Sequence, residues 1–150
     1  ARRLSSSGTR ITAGEIARRV DDPRWSVVVA RLVDRFGDYG SIGAAFVERP
    51  DDGGIATWRL PFLAVSCRVA GKGVAEAVLA VIAERARAAG ARDLVAEVRD
   101  TRHNLELRVL LKTCGFRAVE RPDDDTILLT RSLADPGPVV PEWIDVTEAG

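Results

Sequence analysis

The sequence predicts an α/β fold of the α+β kind: a mixed sheet with a central β-α-β unit and helices on both faces. Three observations carry that expectation. Residues Leu63-Ala-Val-Ser-Cys-Arg-Val-Ala-Gly-Lys-Gly-Val-Ala-Glu-Ala-Val-Leu79 read as a strand running through Arg68-x-x-Gly71-x-Gly73 into an apolar-faced helix. Around that unit, β-rich runs and helical stripes follow one another as α-β-β-β-α-β-α-β, an order that requires one sheet with a crossover at its centre. The chain has 150 residues, 46% of them hydrophobic, which suits a single domain with one core.

Residues 1–11 are polar and rich in Ser and Gly, and read as a linker or poorly ordered arm. Thr12-Ala-Gly-Glu15 is a capping box with Ile11 and Ile16 at the staple positions, so a short helix should run to about residue 20, where Asp21-Asp-Pro23 ends it. Residues 25–33 and 41–48 are β-rich, and the connection Asp34-Arg-Phe-Gly-Asp-Tyr-Gly40 makes them a hairpin. Asp51-Asp-Gly-Gly54 is a turn before a long strand over residues 55–66, in which Pro61 implies a bulge or an unpaired edge. The helix after the glycine loop carries Val74, Ala77, Val78, Val81, Ile82 and Ala86 on one face and closes at Gly90. Residues 93–98 form a buried strand. Asn104 is placed to cap the next helix, whose stripe is Leu107, Leu110, Leu111 and Cys114, with Gly115 as its stop. Residues 126–131 make the last strand. Trp58 and Phe62 read as core. The domain spans residues 12–133, and a proline-containing tail occupies residues 134–150.

The totals exclude several classes. Twenty-two basic residues balance 22 acidic ones, so nothing argues for a nucleic-acid surface. No apolar run approaches the roughly 20 residues that span a bilayer. Two cysteines, Cys67 and Cys114, make neither a metal spacing nor a disulfide framework, and a reducing cytoplasm is the expected setting. The chain starts at Ala1-Arg-Arg and has no methionine, so it reads either as a piece of a longer protein or as one whose start carries an artificial remnant.

The glycine loop is the strongest candidate site. Glycine is needed where a phosphate must approach the backbone, and the amides that open a helix form an anion site with its dipole. Arg68 and Lys72 add positive charge beside Gly71 and Gly73. The bland alternative is a glycine-rich strand-to-helix turn without a ligand. Cys67, beside Arg68 and near a helix N-terminus, is either a thiolate nucleophile that accepts an acyl group or a small strand residue. Arg35, Phe36, Asp38 and Tyr39 belong to the hairpin turn. A turn does not need a Phe, a Tyr and an Arg together, so a substrate or partner contact stands beside simple turn chemistry. Glu97, Asp100 and the one histidine, His103, are the candidate general bases.

The order of elements, the Arg68-x-x-Gly-x-Gly loop and the Asn104…Gly115-Phe116 helix together resemble the GNAT acyltransferase fold over roughly residues 25–131. A narrower likeness lies in Arg35-Phe-Gly-Asp-Tyr-Gly40 with Ile42-Gly43, Ser66-Cys-Arg-Val-x-Gly-Lys-Gly-Val74 and Thr101-x-x-Asn104. These resemble the C-terminal GNAT-like domain of FkbH-like proteins, and residues 2–12 resemble the segment that precedes it. That family joins the domain to a HAD-type one and loads a glyceryl unit onto an acyl carrier protein for polyketide extender or starter units. The HAD chemistry is not carried over to these residues.

The resemblance implies a phosphopantetheine ligand, either on an acyl carrier protein or as coenzyme A, with a HAD-type domain as a partner. It implies that Val65, Cys67, Arg68, Val69, Gly71, Lys72, Gly73 and Val74 hold the pyrophosphate and the pantetheine arm. Val65 to Cys67 would pair with that arm like an added strand, where this strand splays from its neighbour. Asn104 would meet the arm as well as cap its helix. Glu97 falls where such enzymes sometimes place a base. Seven residues after Asn104, many active members carry a tyrosine that protonates the leaving thiolate; here Leu111 stands there, and leucine has no proton to give. A free-standing acyl-CoA-dependent N-acyltransferase and a non-catalytic docking module are the alternative readings.

Overall fold

Among the described residues, seven strands and two helices follow one another as β1 (Arg3–Ser5), β2 (Trp25–Asp34), β3 (Gly37–Glu48), β4 (Thr57–Ser66), α1 (Val74–Ala88), β5 (Asp93–Arg99), α2 (Leu105–Thr113), β6 (Arg117–Asp123) and β7 (Thr126–Ser132). The computed structural model describes residues 3–5, 24–49, 57–66, 72–101, 104–134, 144 and 146. The helix expected near residues 12–20, the turn at 51–54 and nearly all of the tail lie outside the described residues. The strands form one mixed sheet in the order β2-β3-β4-β5-β7-β6, with β1 added to β4 off that path. β4, α1 and β5 are the predicted central unit, and β4–β5 is the parallel pair. The other pairs are antiparallel.

The core follows the two periodicities. Leu60, Leu63 and Val65 of β4 and Leu94, Ala96 and Val98 of β5 join one buried cluster with Val78, Leu79 and Ile82 of α1 and Leu107 and Leu111 of α2. Burial wraps further round α1 than the predicted stripe and takes in Ala75, Leu79, Ala80 and Ala83, while Val81 is half-buried. Trp58 belongs to this core. Phe62 packs with Phe46 and Ala64 in a smaller cluster on the opposite face of the sheet. The Phe46 and Phe62 rings lie 5.4 Å apart between centroids.

Both helices end on the same device. After α1, the Gly90 amide donates to the Arg87 carbonyl and the Ala91 amide to the Ala86 carbonyl; after α2, Gly115 and Phe116 bond back to Lys112 and Leu111 in the same pattern. Gly90 and Gly115 have φ of +90° and +93°, the left-handed conformation this stop requires. The predicted stops are thus met at both glycines.

Pro61 shapes the sheet. Phe46 faces Phe62 and Glu48 faces Arg59, so β4 holds one more residue than β3 across this interval. The alternation flips there: Trp58 and Leu60 join the main core before the bulge, Leu63 and Val65 after it. On its other edge β4 pairs with β5 only from Thr57 to Leu60. A proline has no amide to continue a ladder, so the parallel pairing stops where Pro61 begins, and the two strands part.

Three elements differ from expectation. The hairpin strands extend to Asp34 and from Gly37, leaving Arg35 and Phe36 as a two-residue turn. Its cause is local: the Asp34 carboxylate accepts the Phe36 amide at 2.8 Å. β6 has no counterpart in the expected order, for it is exposed along its whole length and contains Pro122. Such a segment carries no apolar alternation and is recognisable only through its pairing with β7. Within the expected arm, Arg3–Ser5 is a strand on β4.

Cys114 is buried at the end of α2. Burial first, and the charge of Glu76 second, push its thiol from the ordinary 9.0 up to about 11. The unfolded thiol therefore ionises first as pH rises, so the contribution is complete below about pH 9 and is lost between 9 and 11. Urea unfolding across that window should show a steeper fall in stability for the parent than for Cys114→Ala.

Candidate functional site

Beyond Leu60 the gap between β4 and β5 opens toward the end of the sheet at which α1 begins. Gly73 occupies the N-cap position of α1 with φ +82°, which only glycine adopts at little cost. Its carbonyl accepts the Ala77 amide at 3.0 Å, so α1 is hydrogen-bonded from its first turn. The amides of Val74, Ala75 and Glu76 precede that bond and have no partner within the helix. Gly73 and Val74 thus stand at the opening of α1. Cys67, Arg68, Val69, Gly71 and His103 lie outside the described residues.

Lys72, immediately before the cap, meets the hairpin. Its ammonium lies 3.4 Å from the Asp34 carboxylate and 5.2 Å from the centre of the Tyr39 ring. The pairing of β2 with β3 explains this approach: Leu32 faces Gly40 and Val33 faces Asp38, leaving Tyr39 as an extra residue on β3. A bulge re-aims its side chain. The hydrogen bond to Tyr39, and next that to Asp34, raise the Lys72 ammonium above its ordinary value. Partial desolvation pushes Asp34 up, but bonds from the Phe36 amide, Tyr39 and Lys72 outweigh it and hold the carboxyl below the usual range. Lys72 is cationic and Asp34 anionic. Asp34 is the member of this group that the sequence reading missed; its signal was the Asp followed two residues later by the turn amide it accepts.

The other candidates are dispersed. Phe36 is 75% exposed at the turn tip, with the Arg35 guanidinium 4.8 Å above its ring. Asp38 pairs with Arg31 at 3.2 Å and accepts the Gly40 amide at 2.7 Å, which is turn chemistry. Glu97 is exposed on β5, one residue past Ala96, where the pairing with β4 ends. Asp100 accepts Arg108 at 2.9 Å and Arg121 at 2.7 Å. The Arg121 hydrogen bond, helped by Arg108, holds Asp100 below the usual carboxylate range against partial desolvation. Clamped in this way, Asp100 ties β5 to α2 and β6 and is a poor base. Asn104 takes the N-cap position of α2 but makes no side-chain cap bond. Buried at 2% exposure, its amide donates instead to the Arg99 carbonyl at 2.9 Å, pinning the loop between β5 and α2. Leu111 is enclosed in the core.

A cavity of about 500 Å³ lies at the other end of α1, between Trp58, Arg49 and Arg85. It is remote in the fold from Gly73 and takes in none of the candidate residues.

No protein-family pattern and no curated protein matches the chain in sequence. Solved structures do match in fold. The ribosomal-protein-S18-alanine N-acetyltransferase from Escherichia coli aligns with a TM-score of 0.64 at 16% identity, over 93% of this chain and 85% of that one. A GNAT family acetyltransferase from Elizabethkingia anophelis with acetyl-CoA bound aligns at 0.60 and 18% identity, over 83% and 92%. The GNAT domain of S. lividans PAT aligns at 0.61 and 24% identity, over 82% and 70%. The chain has the GNAT fold.

Proposed function

We propose that this chain is an acyltransferase-type domain whose ligand is a phosphopantetheine thioester, carried by an acyl carrier protein or by coenzyme A. The observation that carries the reading is the conjunction at one end of the sheet: β4 parts from β5 at Pro61, and α1 opens at a left-handed Gly73 with Lys72 beside it. An extended amide-rich arm fits the parted edge, and a pyrophosphate fits amides and a lysine. Lys72, Gly73 and Val74 would hold the phosphates, and Val65 would meet the arm. The bound thioester supplies an activated acyl group.

Within that class, the reading we favour is the GNAT-like domain of an FkbH-like protein, handling a glyceryl-type unit on a carrier protein. Two features support it. Tyr39 of the Arg35-to-Gly40 motif lies against Lys72, which would put the motif beside the proposed phosphate site. Leu111 offers no acid to a leaving thiolate, which favours holding and presenting the acyl group over ordinary acetyl transfer. A HAD-type partner domain and a carrier protein are the partners this implies. The second reading, a free-standing N-acyltransferase, draws on Glu97, which stands exposed at the parting of the strands and would act as a base through water.

Calorimetric titration of the full chain with CoA, with 4′-phosphopantetheine and with a holo carrier protein tests these readings. Preference for the carrier protein supports the first, and CoA binding without carrier-protein recognition supports the second. Binding of none of the three leaves only a docking module.

A further inference from the structure

The edge of β4 that the pantetheine arm should use is already taken. β3 covers one edge of this segment, with Gly43 opposite Val65 and Ala44 opposite Ala64. β1 pairs with the same residues: Arg3 faces Ser66, Leu4 faces Val65 and Ser5 faces Ala64. A strand has two edges, so β1 lies on the one turned toward β5, inside the gap that opens after Leu60. It also touches α2.

We infer that β1 is an internal competitor for the pantetheine-type ligand, a strand of the chain's own that closes the Ala64–Ser66 edge until ligand displaces it. The inference rests on the ligand reading given above. Both occupants would use the same main-chain groups of β4, and one edge position holds only one ladder partner. A three-residue strand makes few bonds, so it belongs to the low-stability end of the fold and opens without unfolding the rest. Apparent affinity is then reduced by the fraction of molecules in which β1 is docked.

Two full-length variants test this, Leu4→Pro and the double Arg3→Pro/Ser5→Pro. Antiparallel pairs alternate between bonded and unbonded, so one of the two variants removes the β1 donors whatever the phase. Calorimetry should show that variant binding CoA about tenfold more tightly than the parent, the docked fraction having been released. Equal affinity in all three proteins would overturn the competition while leaving the ligand reading intact. Should a holo carrier protein bind where CoA does not, the same comparison applies with the carrier protein as ligand; failure of all three proteins to bind either one would remove the ligand reading, and the competition with it. A measurement on the unmodified chain covers the case of a misfolded variant. At saturating CoA, amide exchange at Arg3–Ser5 should become fast while Val65 stays protected. Continued protection of Arg3–Ser5 would overturn the inference.

Discussion

Truncating Leu111 to alanine is expected to lower the unfolding free energy by about 2–5 kcal/mol, the range for a leucine removed from a core that cannot fully collapse. Leu111 is 1% exposed. Its cluster includes Leu107, Cys114, Phe116 and Leu129, contributed by α2, the residues that end it and β7. Its carbonyl also receives the Phe116 amide that terminates α2, so the cavity would open beneath the helix stop. Urea unfolding should show a lower midpoint with an unchanged slope. Leu111→Met, which conserves volume, should cost under about 1.5 kcal/mol. A small loss in Leu111→Ala would mean that the side chain is not enclosed, and would reopen the question of what this position does toward a ligand.

Charge reversal at Lys72 carries the second large effect. Lys72→Glu is expected to weaken CoA binding about 100-fold and the neutral Lys72→Met about tenfold, because one loses an attraction and the other also adds a repulsion at the same place. The hairpin amplifies the reversal, since Asp34 already lies 3.4 Å from the ammonium and two carboxylates would then face the phosphates. Salt should separate electrostatics from shape: the gap between the two variants should narrow as ionic strength rises. Equal affinity in the parent and both variants would place the anion elsewhere.

How much of this was legible depended on whether the cause was local. Pro61 announces its own effect, because a missing donor breaks a ladder wherever it sits. Gly90 and Gly115 likewise mark helix ends through their own backbone freedom. The meeting of Asp34 with Lys72 joins residues 38 apart in sequence and depends on a bulge that turns Tyr39, which no periodicity encodes. β6 has an exposed side-chain pattern throughout and exists through its partner. Asn104 shows the intermediate case. Its place at the helix start followed from residue type, whereas its bond to Arg99 is set by the path of the loop from β5. β1 lay within a stretch whose composition reads as an arm, and only the parted edge of β4 gives it a place.

The most direct test is a calorimetric titration of the unmodified chain with CoA and with a holo carrier protein, followed by amide exchange on whichever complex forms. Saturable one-to-one binding is expected, with new protection at Val74 and Ala75, where α1 opens. Absence of binding, or binding that leaves those two amides unchanged, would contradict the claim that this end of the sheet holds a phosphopantetheine ligand.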